Sequence, residues 1–111
     1  MENGHVSEDV RPDPTADLHW SAFAGAIQDI FAKNSEAHPE RLCICETATS
    51  TVPQRNFTYR HIHEASNVLA HKLLNDGVQR GDVVMVYAYR GVDLVVAVMG
   101  VLKAGAAFSV V

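Results

Sequence analysis

Apolar residues recur at intervals of three and four through Trp20, Phe23, Ile27, Ile30 and Phe31. That spacing lines one face of a helix, which should end near Ala37 because Pro39 follows. Leu42-Cys43-Ile44-Cys45 is a short apolar run suited to a strand. The Thr-, Ser- and Pro-rich stretch from Thr47 to Arg55 reads as loop. A second helix is predicted after Thr58, a residue type that caps helix N-termini, with Tyr59, Ile62, Ser66, Leu69 and Leu73 tracing its buried stripe. Asn75-Asp76-Gly77 closes it, Gly77 being the natural residue just past the end.

Gly81-Asp82 then turns the chain into Val83-Val84-Met85-Val86-Tyr87-Ala88. A run apolar at every position fits a central parallel strand covered on both faces. After the tight Arg90-Gly91 connection, Val92 to Lys103 forms a helix that is apolar nearly all round and so must be covered on most sides. Gly105 stops it, and Ala107-Phe108-Ser109-Val110-Val111 begins another strand. The order helix, strand, helix, strand, helix, strand with short links implies an α/β fold, a partial parallel sheet with flanking helices. Three strands alone leave open edges beside a very apolar helix, so the pattern predicts the first part of a larger domain. Each large apolar side chain left exposed forgoes roughly 1.5–3 kcal/mol, against a total domain stability of only about 5–15 kcal/mol. Poor solubility or partial folding of the isolated chain is the expectation.

Composition narrows the classes. With 111 residues, 48% hydrophobic and 20% charged, the chain makes one globular domain at most, not a disordered or collagen-like polymer. The net charge of −4 is located entirely in residues 1–17, where Glu2, Glu8, Asp9, Asp13 and Asp17 face only Arg11. This acidic, Pro-containing segment is read as a mobile arm, and residues 18–111 as the folded portion. The rest is neutral, so no basic field exists for nucleic acid or an anionic membrane. Two cysteines, Cys43 and Cys45, are too few for a disulfide framework and suit packing. The acidic N-terminus lacks the basic and apolar regions of a secretory signal, and the cytoplasm is the expected location. Leu94 to Val111 is near the length of a bilayer span, but Lys103 and the helix stop at Ala104-Gly105 divide it.

The motifs that carry chemistry are mostly absent. None of the six histidines has partners at metal-ligand spacing; His61 and His63 read as a solvated helix face. Arg80-Gly81-Asp82 is a turn feeding a strand, and the sequon Asn56-Phe57-Thr58 is silent without a secretory signal. Gly100 and Gly105 have phosphate-loop spacing, but Ala106-Ala107 stands where Lys-Ser/Thr must follow. No nucleophile triad or carboxylate pair can be assembled. At the carboxyl ends of the strands, where parallel sheets bind ligands, Arg90 is the only charged group able to meet an anion, and a structural role is the simpler reading. No catalytic, cofactor-binding or metal-ligating residue is assigned.

Two segments alter the picture. Phe57-Thr58-Tyr59-Arg60-His61-Ile62 resembles the first core motif of adenylate-forming (AMP-binding) enzymes, a Leu-Thr-Tyr-x-Glu-Leu pattern. Leu102-Lys103-Ala104-Gly105-Ala106-Ala107-Phe108-Ser109-Val110 resembles their second, of the type Leu-Lys-Ala-Gly-x-x-Tyr-x-Pro. Further runs resemble the fungal L-2-aminoadipate reductase family in particular. They are Pro12-Asp13-Pro14-Thr15, Ile27-Gln28-Asp29-Ile30-Phe31, Ala65 through His71, Arg80 through Tyr87, and Arg90 through Gly105.

The resemblance implies the N-terminal portion of an adenylate-forming domain in a large enzyme of lysine biosynthesis. Such an enzyme activates 2-aminoadipate with ATP and Mg2+, passes it to a phosphopantetheine thiol, and reduces it with NADPH to the semialdehyde. The family places its phosphate loop, ribose-binding acid, catalytic lysine, carrier and reductase domains beyond the position of Val111. The chain is therefore expected to hold no cofactor and to be inactive by itself, with the rest of the adenylation domain as its partner. Tyr59, Lys103 and Gly105 are read as structural: helix start, helix end and close backbone packing. The alternatives are a piece of another adenylating enzyme, such as a peptide synthetase or an acyl-CoA ligase, and a small non-catalytic α/β binding protein.

Overall fold

A computed structural model describes residue 11, residues 13–16 and residues 25–111. Most of the acidic arm, and Trp20 and Phe23 of the first predicted helix, lie outside the described residues. The elements run α1 (Ile27–Ala37), β1 (Leu42–Glu46), β2 (Arg55–Thr58), α2 (Tyr59–Asn75), β3 (Val83–Val86), α3 (Val92–Lys103) and β4 (Ala107–Val110).

The sheet departs from the expected three parallel strands. Among the described residues, β1 pairs antiparallel with β2, and only β3 and β4 pair in parallel, giving two separate two-stranded sheets. β2 lies at the end of the stretch read as loop. Its sequence Arg-Asn-Phe-Thr holds one large apolar side chain and shows no strand periodicity, so pairing rather than propensity makes it a strand. The ladder runs Leu42↔Thr58, Ile44↔Phe57, Cys45↔Asn56 and Glu46↔Arg55, with its register shift between Leu42 and Ile44. Cys43 is thus the extra residue of a bulge. Both cysteines are free, Cys43 half-buried and Cys45 exposed.

α2 begins where predicted. Thr58 Oγ1 accepts the His61 N–H while His61 Nδ1 accepts the Thr58 N–H, a capping box closed by histidine instead of glutamate. The next orphan donors also find partners: Tyr59 N–H donates to Arg41 O and Arg60 N–H to Pro39 O, each at 3.0 Å. Ile62, Ser66 and Ala70 form its buried stripe.

Both later helices end in the same motif. Gly77 N–H reaches Leu74 O and Val78 N–H reaches Leu73 O; Gly105 N–H reaches Leu102 O and Ala106 N–H reaches Val101 O. Gly77 and Gly105 take positive φ, 97° and 83°, as this Schellman ending requires. Gly105 was expected to permit close packing, but a Cβ there would meet nothing within 4 Å. The close approach falls at Gly100, where a Cβ would lie 2.7 Å from Leu69 Cδ2. Gly100 is therefore what lets α3 lie against α2.

The core is centred on Val86, Val101 and Ala106, with Leu73, Val78, Val84, Ala88, Leu94 and Ala97 packed around them. Val86 is 4% exposed, yet its neighbours on the opposite face of β3 are bare: Val83 is 69% and Met85 72% exposed. The expected burial on both faces is not met, because the described helices cover only one side of the β3–β4 pair. Phe108 and Val110 also remain 42% and 51% exposed. No helix among the described residues is long and apolar enough to cross a membrane.

Candidate functional site

Two polar constellations tie the elements together. The first lies beside the carboxyl end of β3, in a cavity of about 450 Å³ lined by Glu46, Arg55, Tyr87, Arg90, Gly91 and Asp93, among others. The Glu46 carboxylate serves two donors there. Oε2 accepts the Val92 N–H at 2.7 Å, capping α3, and Oε1 accepts Arg55 Nε at 2.9 Å and Arg55 NH2. The bond from the Val92 amide, followed by the bonds and charge of Arg55, holds the Glu46 carboxyl below the usual carboxylate range. The N-cap residue Gly91 supplies no side-chain cap of its own. Its φ is 153°, and a Cβ would stand 2.7 Å from Glu46 Oε2. Glycine is needed for both reasons.

This occupation decides what the cavity can do. A helix N-terminus attracts anions, but the α3 terminus already holds the chain's own carboxylate. A phosphate could reach those amides only by displacing the Glu46 carboxylate from Val92. Arg90 lines the cavity and is exposed. It is not the sole cation there, since Arg55 lies in the same cavity, and Arg55, not Arg90, makes the salt bridge.

The second constellation was read as a helix stop. Lys103 Nζ donates to Ser66 Oγ at 2.8 Å, Asn67 Oδ1 at 2.8 Å and His63 O at 3.3 Å, and lies 3.0 Å from His63 Nδ1. It also sits 5.3 Å from the centroid of the Phe31 ring, within reach of a cation–π attraction. Burial pushes the Lys103 amine below the usual lysine range. His63 is thus not on a solvated face: burial first, then the Lys103 charge, push its pKa down, against a smaller upward pull from Glu36 and Glu64. His61 is engaged in the α2 cap. Arg80-Gly81-Asp82 is a turn as expected, with Asp82 Oδ2 accepting the Gln79 N–H and the Gly81 N–H donating to Gly105 O.

Sequence reasoning missed Glu46, Arg55 and the partners of Lys103. Their contacts span up to 46 positions, and no local spacing reports them.

A short antiparallel hairpin, a capped helix and a β–α–β unit with both helices closed by glycine make up the opening of an adenylate-forming fold. The sequence model of the AMP-binding enzyme family matches residues 31–111, and the chain belongs to that family. Among curated proteins, it is 65% identical over 109 residues to the L-2-aminoadipate reductase large subunit of Penicillium chrysogenum, covering 96% of this chain and 8% of that protein. It is 64% identical over 104 residues to L-2-aminoadipate reductase of Schizosaccharomyces pombe, covering 92% of this chain and 7% of that protein. The chain thus spans under a tenth of the length of these relatives. Among solved structures, the N-terminal subdomain of Klebsiella oxytoca NpsA in complex with anthranilyl-AMSN aligns with a TM-score of 0.68 at 30% identity, over 78% of this chain and 21% of that one. A fatty acyl-adenylate ligase from L. pneumophila aligns with a TM-score of 0.70 at 20% identity, over 76% of this chain and 14% of that one, a likeness of fold alone.

Proposed function

We propose that residues 18–111 are the opening portion of the adenylation domain of an L-2-aminoadipate reductase, with residues 1–17 as an acidic arm ahead of it. The observation that carries this is the contrast in similarity. Identity is 65% to the Penicillium reductase over nearly the whole chain, but 32% to malpinin synthetase of Mortierella alpina and 33% to tyrocidine synthase 2 of Brevibacillus parabrevis. The bare face of β3 supports the same reading, because Val83 and Met85 await cover that the described residues do not supply.

The whole enzyme then activates the side-chain carboxyl of 2-aminoadipate with ATP and Mg2+ and reduces the phosphopantetheine thioester with NADPH to the semialdehyde. Activation is needed because a free carboxylate resists hydride, whereas an adenylate or thioester carbonyl is electrophilic. All of that chemistry belongs to segments other than this chain. Here the residues build scaffold: Glu46 and Arg55 fix the start of α3, and Lys103 fixes its end. Neither nucleic acid nor a membrane is a partner in this reading, and the cytoplasm is its location.

ATP–pyrophosphate exchange tests the proposal. The 111-residue chain alone should be silent with 2-aminoadipate, while the intact product of its gene should exchange with 2-aminoadipate and not with other amino acids. Exchange by the short chain, or a different preferred acid for the intact product, would overturn it.

A further inference from the structure

The Lys103 cluster has an unusual charge arrangement. Among the described residues no carboxylate bonds the ammonium; its acceptors there are a hydroxyl, an amide oxygen, a backbone carbonyl and an imidazole nitrogen. An ammonium carries three protons. One goes to Ser66 Oγ and one to Asn67 Oδ1, leaving the third for the His63 side, where Nδ1 at 3.0 Å and O at 3.3 Å both face Nζ. Asn67 Nδ2 also lies 3.4 Å from Nε2, so both ring nitrogens face donors; a neutral ring accepts at one of them, and at Nδ1 only when its proton sits on Nε2. A second proton on the ring would remove the acceptor and set two cations about 3 Å apart in a half-buried site.

We propose that His63 and Lys103 form an acid-released latch that holds the C-terminal end of α3 against α2. The latch sits directly before the glycine ending that aims β4: Lys103 is the last helical residue, and Gly105 and Ala106 follow with the bonds that turn the chain. Opening it frees that turn, and through the Gly81 N–H bond to Gly105 O it also frees the entry to β3.

The surroundings set the direction. From α1, the Phe31 ring lies 6.3 Å from the His63 ring, Glu36 acts on His63 by charge, and Asp29 lines a second cavity that His63 and Lys103 also border. From α2 come Glu64, Asn67 and His71, and from α3 Lys103 itself. The acids favour imidazolium, but burial and Lys103 outweigh them, so the pKa of latched His63 lies below 6.5. The opened state therefore binds the proton more readily. The latch is at full strength above pH 6.5 and is lost as pH falls through the latched value.

Hydrogen–deuterium exchange on the intact protein, corrected for intrinsic rates, reads the latch through the amides of Ala104, Gly105 and Ala106. Each unit between the latched and open pKa of His63 is worth about tenfold in the opening equilibrium. Corrected exchange of these amides should rise at least about threefold from pH 7.5 to pH 5.5 relative to the Ile62–Ala70 amides of α2. His63→Gln keeps a neutral polar group and cannot be protonated, so it should abolish that rise. A magnetic-resonance titration of the wild-type ring provides a second readout: a midpoint below 6.5 that moves upward in Lys103→Met. A flat wild-type profile, an unchanged rise in His63→Gln, or a ring midpoint unmoved by Lys103→Met would each overturn the latch.

Discussion

Glu46 caps a helix that begins 46 positions later: its Oε2 accepts the Val92 N–H at 2.7 Å. The bond joins the β1–β2 hairpin to α3, two units that no strand pairing connects. Because the carboxyl is held below its ordinary pKa of 4.5, its contribution is complete above that value and is lost as pH falls through the folded one. Glu46→Ala should lower the melting temperature at pH 7 more than Glu46→Gln, which keeps an acceptor for Val92. The difference between Glu46→Gln and wild type should shrink as pH falls below 4.5.

The contact of Gly100 with Leu69 predicts a second outcome. Alanine ordinarily favours a helix interior by about 1 kcal/mol over glycine. Here its Cβ would lie 2.7–3.0 Å from three Leu69 side-chain atoms, and overpacking costs about 1–3 kcal/mol. Gly100→Ala should destabilise the protein in denaturant titration. Adding Leu69→Ala should recover part of that loss, a coupling that a double-mutant cycle measures.

Thr58 closes the α2 cap with one hydroxyl. Thr58→Ala should cost about 1 kcal/mol and Thr58→Ser only a few tenths, both read by chemical denaturation. Equal losses would mean that the Thr58 methyl, not its oxygen, matters.

Met85 stands on the bare face of β3, 72% exposed. In the 111-residue chain, Met85→Lys should raise solubility, measured as the fraction remaining after centrifugation, with little effect on melting. In the intact gene product the same change should lower stability by roughly 2 kcal/mol or more if that face is covered there.

The two thiols should separate by access. Burial pushes the Cys43 thiol up, and Cys45 is exposed. Iodoacetamide at pH 8 should modify Cys45 well before Cys43, as peptide mass spectrometry resolves; reversal would place the bulge elsewhere.

Helices α2 and α3 were legible in the sequence because three local signals agree for each: a capping residue or tight turn, an apolar pattern and a terminating glycine. Thr58, Gly77 and Gly105 fall where those rules put them. The hairpin was not legible. β2 offers only Phe57 as a large apolar residue, and the eight positions between β1 and β2 contain none of the Asn-Gly or Asp-Gly turns that announce a hairpin. β1 was therefore assigned to the parallel sheet it does not join. The same limit hid the Lys103 cluster. A lysine before Ala-Gly reads as a helix end, and nothing near it in sequence marks Ser66 and Asn67, 37 and 36 positions earlier, as its acceptors. The resemblance identified the family from its motif residues, with Lys103 read as no more than the helix end.

The parallel pairing of β3 with β4 sets an order of events during synthesis. β3 cannot close its ladder until the whole of α3 and Ala107–Val110 have been made. At about 5–20 residues per second, those roughly 25 residues take on the order of one to five seconds to emerge. For that interval Val83-Val84-Met85-Val86 leaves the ribosome as an uncharged apolar strand with both edges unpaired. The hairpin upstream, with its antiparallel partner only eight residues away, has no such wait. Nascent-chain aggregation or chaperone capture should therefore concentrate between the emergence of Val83 and that of Val110.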